Sequence, residues 1–402
     1  MKKIISAVLA AVLFITGTAA AFAAESDGKQ LQFNKDGKFK IMLLADPQDG
    51  YPIREDFIYL LSEALDKASP DLVVFLGDNV MGADEWSLEK YKMGFDQMLA
   101  PIVERDIPFT LVFGNHDEES SPGLTKEQIL EIYQSFDGCL AYDAVPELHG
   151  CATHNLPILS SDGTHTAFNL WMMDSGSYAY TEKTGYHYDC VRRDQIEWYE
   201  QTSKALEKEN GAPVPSFMFQ HIVPADVAEQ VMVTLPFHHK KNLTDYNLEN
   251  GKSLSFLPNV FGFKSGFVGE IPCSSTENEG QMDSLAQRGD VLALFFGHDH
   301  VNSYCANVKG IDAVNVPGCT YESYYSFILH GIMTVTLDEK DLSTYKTDMI
   351  YANDLALEKG SKLPEMEKSK GYYIASEFVR ILVKVLLTPL KQLANIIGEI
   401  LY

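Results

Sequence analysis

Gly297-His298-Asp299-His300 follows the apolar run Val291 to Phe296, and the reading of this stretch decides the fold. Two histidines at i and i+2 on an extended loop turn inward together only if the backbone bends, and a glycine just before them lets it bend. Imidazoles at that spacing after a buried strand point to the lip of a metal site more than to core filling. Three earlier stretches share the design, an apolar strand that ends in ligand-type side chains. They are Ile41 to Leu44 before Asp46-Pro47-Gln48, Leu72 to Leu76 before Gly77-Asp78-Asn79, and Phe109 to Phe113 before Gly114-Asn115-His116-Asp117. A further run, Phe217 to Phe219, leads into Gln220-His221.

Between these strands the apolar residues fall at helical spacing. Ile53, Phe57, Leu60, Leu61, Ala64 and Leu65 predict a helix from Ile53 to Ala68, closed by Pro70. Leu88 to Glu104 and Asp194 to Lys208 read as helices too, and Thr125 to Ser135 opens with a capping-box pair, Thr125 and Gln128. Ala167 to Met173 and Ser216 to Phe219 read as strands. Ile311 to Val316 and Gly331 to Leu337 look like antiparallel strands. Strands alternating with helices predict an α/β layered core. Ligand types at strand carboxyl ends fit the place where open α/β sheets bind their ligands. Val231 to Gln287 is rich in Asn, Gly, Ser and Lys, with little periodicity. Lying between His221 and Gly297, it either borders the site or is an insertion.

A chain of 402 residues with 46% hydrophobic and 22% charged residues buries a large core. Its net charge of -24 argues against nucleic-acid binding, whose footprint is basic. Lys2 and Lys3 precede the short apolar run Ile4 to Ile15, and Ala21-Phe22-Ala23 fits a small-x-small cleavage site. Residues 1–23 therefore read as a signal peptide, and the protein as exported, either secreted or associated with the cell surface. Six cysteines permit disulfides in such a compartment. Cys139 with Cys151 and Cys305 with Cys319 are near enough in sequence to bridge local loops, and free buried thiols are the alternative.

The C-terminus reads as a separate piece: a linker over 351–372, then an amphipathic helix over 373–402. Phe378, Ile381, Leu382, Val385, Leu386, Leu390, Leu393 and Ile397 repeat at helical spacing, with Arg380, Lys384 and Lys391 off the stripe. Residues 374–402 either touch an anionic membrane surface or pack on the protein itself. Pro389 kinks the helix, and the apolar run is too interrupted to span a bilayer.

Taken in order, Asp46, Gly77-Asp78-Asn79, Gly114-Asn115-His116-Asp117, His221 and Gly297-His298-Asp299-His300 resemble the motifs of the calcineurin-like metallophosphoesterases. Glu119-Ser120 after the Asn-His-Asp run, and the stretch from Gly289 to Asn302, resemble the purple-acid-phosphatase-like branch. The resemblance spans roughly residues 39–350. It implies a four-layer α/β/β/α sandwich and two metal ions, of Fe, Mn or Zn. Two such ions about 3.5 to 4 Å apart clamp a phosphoryl group and activate a bridging hydroxide. By carry-over Asp46 and His300 belong to one ion, Asn115, His221 and His298 to the other, and Asp78 bridges them. His116 matches the non-ligand histidine that stabilises phosphoryl oxygens or protonates the leaving oxygen, with Asp117 holding its ring.

Two positions depart from the pattern. The family commonly has histidine where Gln48 stands, so Gln48 either offers a weaker amide oxygen or leaves the metal untouched, with Asp49 compensating. Val80 and Met81 stand where coloured members place a ligand tyrosine, so no purple charge-transfer band is expected. His238-His239 reads as a solvated loop pair and Arg192-Arg193 as a solvated helix start. His149, His154, His165, His187 and His330 read as structural. The resemblance implies a phosphatase acting on a phosphorylated small-molecule or protein substrate. The competing readings are a phosphodiesterase or nucleotide hydrolase, and a non-catalytic surface binding protein on the same scaffold.

Overall fold

A computed structural model describes residues 30–80, 87–119, 124–182, 185–234, 256–259, 261–356, 358 and 360–363. Apart from Gln30, these belong to the unit Leu31–Tyr402. The leader reading, His238-His239, Met81 and the helix expected over 373–402 lie outside the described residues.

The first half of the chain runs β1 (Lys38–Leu44), α1 (Glu55–Ala68), β2 (Leu72–Leu76), α2 (Leu88–Val103), β3 (Phe109–Val112) and α3 (Lys126–Gln134). It continues through β4 (His154–Leu159), β5 (Thr166–Met172), the hairpin β6 (Tyr178–Thr181) and β7 (Gly185–Tyr188), α4 (Arg193–Asn210) and β8 (Ser216–Gln220). After α5 (Ala225–Val231) come the short strands β9 (Met232–Thr234), β10 (Phe256–Pro258) and β11 (Ser265–Phe267). The remainder is α6 (Gln281–Arg288), β12 (Val291–Phe296), β13 (Ser303–Val308), β14 (Ile311–Asn315), β15 (Gly331–Asp338), β16 (Tyr345–Tyr351) and α7 (Ala352–Ala356).

Two sheets carry the fold. One has five strands in the order β16-β15-β1-β2-β3, the other seven in the order β11-β13-β14-β12-β8-β5-β4. Successive strand residues point to opposite faces, and the cores follow that alternation. On β1, Ile41 and Leu43 face the other sheet and pack with Phe168, Phe217, Phe219 and Phe295. Met42 and Leu44 face the other way, onto Phe57, Leu60, Leu61 and Phe95 of α1 and α2. The seven-stranded sheet does the same, with Trp171, Met218 and Leu294 set against Ile196, Tyr199, Val227 and Leu285 of α4, α5 and α6. Two sheets face to face, each backed by helices, make the expected α/β/β/α sandwich.

The helical stripes were legible because each buries one face. Phe57, Leu60, Leu61, Ala64 and Leu65 are the buried positions of α1, which ends with Ser69 in the left-handed region just before Pro70. The capping box of α3 forms as predicted, Thr125 accepting from the Gln128 backbone while Gln128 accepts from that of Thr125.

Other expectations need correction. Gly331–Asp338 is antiparallel to both its neighbours, β1 and β16, as expected, whereas Ile311–Asn315, in the other sheet, is antiparallel to β13 but parallel to β12. The linker expected from residue 351 begins inside the domain: Tyr351 ends β16, and Ala352, Leu355 and Ala356 of α7 are buried in the helix-side core. None of the six cysteines is in a disulfide. Cys305 packs against the core between the sheets and Cys319 sits in the helix-side core, which separates that pair. Among the described residues, no helix is long and apolar enough to cross a membrane.

Candidate metal centre

β1, β2, β3, β8 and β12 all end at the same edge of the sandwich, and their following loops converge there. Close approach of those loops depends on glycine. A Cβ on Gly114 would stand 2.2 Å from Asp78 Oδ1, and one on Gly297 would stand 2.8 Å from Asp46 Oδ2. Gly297 therefore gives room rather than the expected bend. The bend is taken by His298 itself, at φ 72, and Asp46, Gln48 and Asp78 are also left-handed at φ 48, 41 and 49.

One nitrogen organises the centre. His221 Nδ1 donates to the Leu76 carbonyl at 2.8 Å, which turns Nε2 inward. Around Nε2 stand Asp78 Oδ2 at 3.1 Å, Asn115 Oδ1 at 3.2 Å and His298 Nδ1 at 3.2 Å. Donor atoms about 2.1 Å from a common ion stand about 3.0 to 3.4 Å from one another. Asp78, His221 and His298 likewise form a group whose ligand atoms all lie within 4.8 Å, every member buried. Two of these donors are held from behind: the Asn115 amide donates to Tyr178 Oη at 3.0 Å, and Asp78 Oδ1 accepts from the His116 backbone at 2.8 Å.

A second group is looser. His300 Nδ1 donates to the Tyr324 carbonyl at 2.8 Å, leaving Nε2 3.7 Å from Asp46 Oδ1. Asp46 accepts from the His298 backbone at 3.0 and 3.1 Å. Gln48 Nε2 reaches Asp78 Oδ2 at 3.5 Å, while Gln48 Oε1 and His298 Nε2 are buried without a hydrogen-bond partner. Asp49 does not stand in for Gln48. Its carboxylate accepts from the backbone of Gly50 and Arg54 at the start of α1. Buried orphan acceptors beside paired carboxylates and imidazoles fit a cation.

The electrostatics point the same way. Burial opposes charge on His221, but the charge and hydrogen bond of Asp78, with Asp46 behind, bring it up to about 9. Burial, followed by the charge on His221, holds His298 well below the usual imidazole range. Burial also favours neutral Asp78, yet His221, His116 and His298 together hold it below the usual carboxylate range. Burial keeps Asp46 well above that range against the pull of His221. The field that places a proton on His221 equally favours a metal ion in its place.

His116 and Asp117 divide their work differently from the expectation. Asp117 accepts from the backbones of Gly114, Asp78 and Asn79 at 2.7, 3.1 and 2.9 Å, so it fastens the β2 and β3 loops together. The carboxylate on His116 Nδ1 is that of Glu119, at 2.5 Å. Glu119 and Tyr178 are site residues that the sequence reading gave no role. Glu119 was open to inference as the carboxylate three residues beyond His116. Tyr178 lies in a four-residue strand, too short for a period to register.

Among the histidines read as structural, His154 is buried between Thr110 and the Ala152 carbonyl, and His149 pairs with Asp189. Arg192 and Arg193 are taken by Asp189, Glu277 and Glu197. The irregular stretch does border the centre: Gly269 and Glu270 donate backbone N–H to Asn302, and Cys273 donates to Asp299. A cavity of about 720 Å³ between the sheet edges, lined by Lys40, Lys67, Ser265, Ser303 and Asp348, contains none of the convergent donors. Volume does not mark this centre; donor chemistry does.

Known proteins are similar in sequence. The family model described as calcineurin-like phosphoesterase matches residues 39–302. A protein of Arabidopsis thaliana named "Probable inactive purple acid phosphatase 14" is 30% identical over 357 residues, 80% of this chain and 81% of its own. Another from that plant, "Probable inactive purple acid phosphatase 29", is 27% identical, with 75% of this chain and 77% of its own covered. "Phosphatase DCR2" of Saccharomyces cerevisiae is 28% identical over 70% of this chain and 47% of its own.

Proposed function

The chain belongs to the calcineurin-like phosphoesterase family, and from that premise we propose that it is an exported phosphatase that hydrolyses phosphate monoesters with two bound metal ions. The observation that carries the reading is the convergence of Asp78, Asn115 and His298 on His221 Nε2 at 3.1 to 3.2 Å. Asn115, His221 and His298 would hold one ion, Asp46, Gln48 and His300 the other, with Asp78 shared. Bound there, the ions polarise the phosphoryl oxygens and lower the pKa of the attacking water.

The chain's own groups do the rest. Leu76 and Tyr324 fix the His221 and His300 rings through backbone carbonyls, so that each presents Nε2. Asp117 holds the two donor loops at a fixed separation. Glu119 holds His116 through Nδ1 and leaves Nε2 to act. As the P–O bond to the alcohol breaks and water oxygen bonds to phosphorus, His116 Nε2 hands its proton to the departing oxygen, and the proton lost by the water returns the ring to its protonated form.

A non-catalytic binding protein on the same scaffold is the second reading, favoured by Gln48 where the family has histidine. Metal analysis with turnover of para-nitrophenyl phosphate and of its bis ester separates the readings. Two ions with turnover of the monoester is the expected result. Preference for the bis ester makes the protein a phosphodiesterase. Two ions with turnover of neither ester makes it a binding protein.

A further inference from the structure

The β6–β7 hairpin carries four tyrosines on one face. Tyr178 pairs across the strands with Tyr188, and Tyr180 with Tyr186. Positions two apart on a strand share a face, so the four rings form a ladder of two rungs. The rings of the first rung are 5.5 Å apart and stacked, and those of the second are 5.1 Å apart. At about 3.3 Å per residue the rungs are about 7 Å apart.

The inner rung touches the metal centre. Tyr178 Oη accepts from the Asn115 amide at 3.0 Å, and Tyr188 packs edge-on against His298 at 4.4 Å. The outer rung leads away from it into solvent. Tyr178, Tyr180 and Tyr186 are 46%, 61% and 71% exposed, so these rings are not core. A fifth ring, Tyr324, lies flat on His300 at 4.3 Å, is tied to Glu270 by its hydroxyl and is 55% exposed. Exposed aromatic rings, held by their own contacts and gathered at a site, mark a surface that receives a ligand.

Charge narrows the ligand. Glu119 lies beside Tyr178, and the protein carries a net charge of -24. A ligand body with further negative charge is disfavoured there; an uncharged flat ring is not.

Resting on the phosphatase reading above, we infer that the tyrosine ladder is a leaving-group subsite, and that the substrate is a phosphate monoester whose alcohol carries a flat aromatic ring. The ring stacks on Tyr178 while the phosphoryl group lies at the donor cluster.

Non-hydrolysable phosphonates test this on the full, metal-loaded chain by calorimetry. Methylphosphonate reports the phosphate site alone. Benzylphosphonate and cyclohexylmethylphosphonate add rings of similar size, the saturated one being the more hydrophobic, so a preference for benzyl comes from stacking and not from buried area. The wild-type protein is expected to prefer benzyl by about threefold to tenfold, the range of one ring–ring contact. Tyr178→Phe keeps that ratio, and Tyr178→Leu brings it to about one. Both variants lack the hydroxyl that holds Asn115, so the difference between them isolates the ring. Equal wild-type affinities for the two rings overturn the inference, as does a preference that survives in Tyr178→Leu. The wild-type ratio decides the matter even where the leucine variant does not fold. Failure of methylphosphonate to bind removes the phosphatase reading and this inference with it, whereas its binding without a ring preference removes the inference alone.

Discussion

Asp78, Asn115 and His298 are drawn to within 3.1 to 3.2 Å of His221 Nε2, whereas Asp46 and His300 stand 3.7 Å apart and Gln48 Oε1 has no partner. The two donor groups share Asp78 and one edge of the sandwich, and differ in how each side chain is held. In the tighter group Leu76 fixes His221, Tyr178 fixes Asn115 and the His116 backbone fixes Asp78, while His298 Nε2 has no partner. In the looser group Asp46 and His300 are held by backbone partners, but the Gln48 oxygen is not. Outer hydrogen bonds orient donors before a ligand arrives, so three donors of the tighter group are set in advance, whereas Gln48 in the looser group is left to be set by what binds there.

Removing the shared carboxylate has the largest expected effect. Asp78→Ala should leave neither group able to retain an ion and bring ester turnover to the background rate, read by elemental analysis beside the assay. Retention of two ions in that variant would show that Asp78 does not join the groups. His116→Ala comes next. It removes the proton donor held by Glu119 and none of the proposed ligands, so both ions should stay while turnover falls about 10² to 10⁴-fold. Loss of an ion would place His116 among the ligands instead.

Gln48→His sharpens the comparison directly. Histidine tolerates the left-handed backbone found there better than most side chains. It should raise retention of the more weakly held ion about tenfold against a chelator, on the scale of single donor-shell changes. An unchanged chelator midpoint would mean that Gln48 faces no ion. The smallest effect on either group belongs to His154→Gln, since His154 lies outside both. Burial brings the His154 imidazole down to about 4 from its usual 6.5. An unfolded chain protonates it near 6.5, so folded stability is unaffected above that pH and falls by about 1.4 kcal/mol per unit between 6.5 and 4. Glutamine removes this loss, and the variant's denaturation midpoint should fall less than the wild type's between pH 6.5 and 4. Turnover and metal content should not change.

The layers were legible because burial writes itself into spacing: α1 and β1 bury the residues whose periods announced them. The donors were legible because several apolar strands, in order, ended in the same ligand types; any one such end alone is an ordinary turn. Pairing order was not. β14 borders β12 in parallel and β13 antiparallel, and nothing within a five-residue strand tells which neighbours it will have. Asp117 was given the ring contact that Glu119 makes for a related reason. Both carboxylates follow His116 closely, and only the folded turn decides which meets the ring and which meets the backbone. Tyr178 and Tyr188 went unmarked because a hairpin of two four-residue strands carries no core period. Its alternation is aromatic on the exposed face, the opposite of what burial would write.

The left-handed residues Asp46, Gln48, Asp78 and His298 have a consequence for anyone who would make this protein more robust. Each non-glycine residue in that region costs about 1 to 3 kcal/mol, and glycine would relieve it. A screen for heat resistance alone should therefore drift toward glycine at these four places, selecting sturdier molecules that have lost the donors for which the chain tolerates its tension.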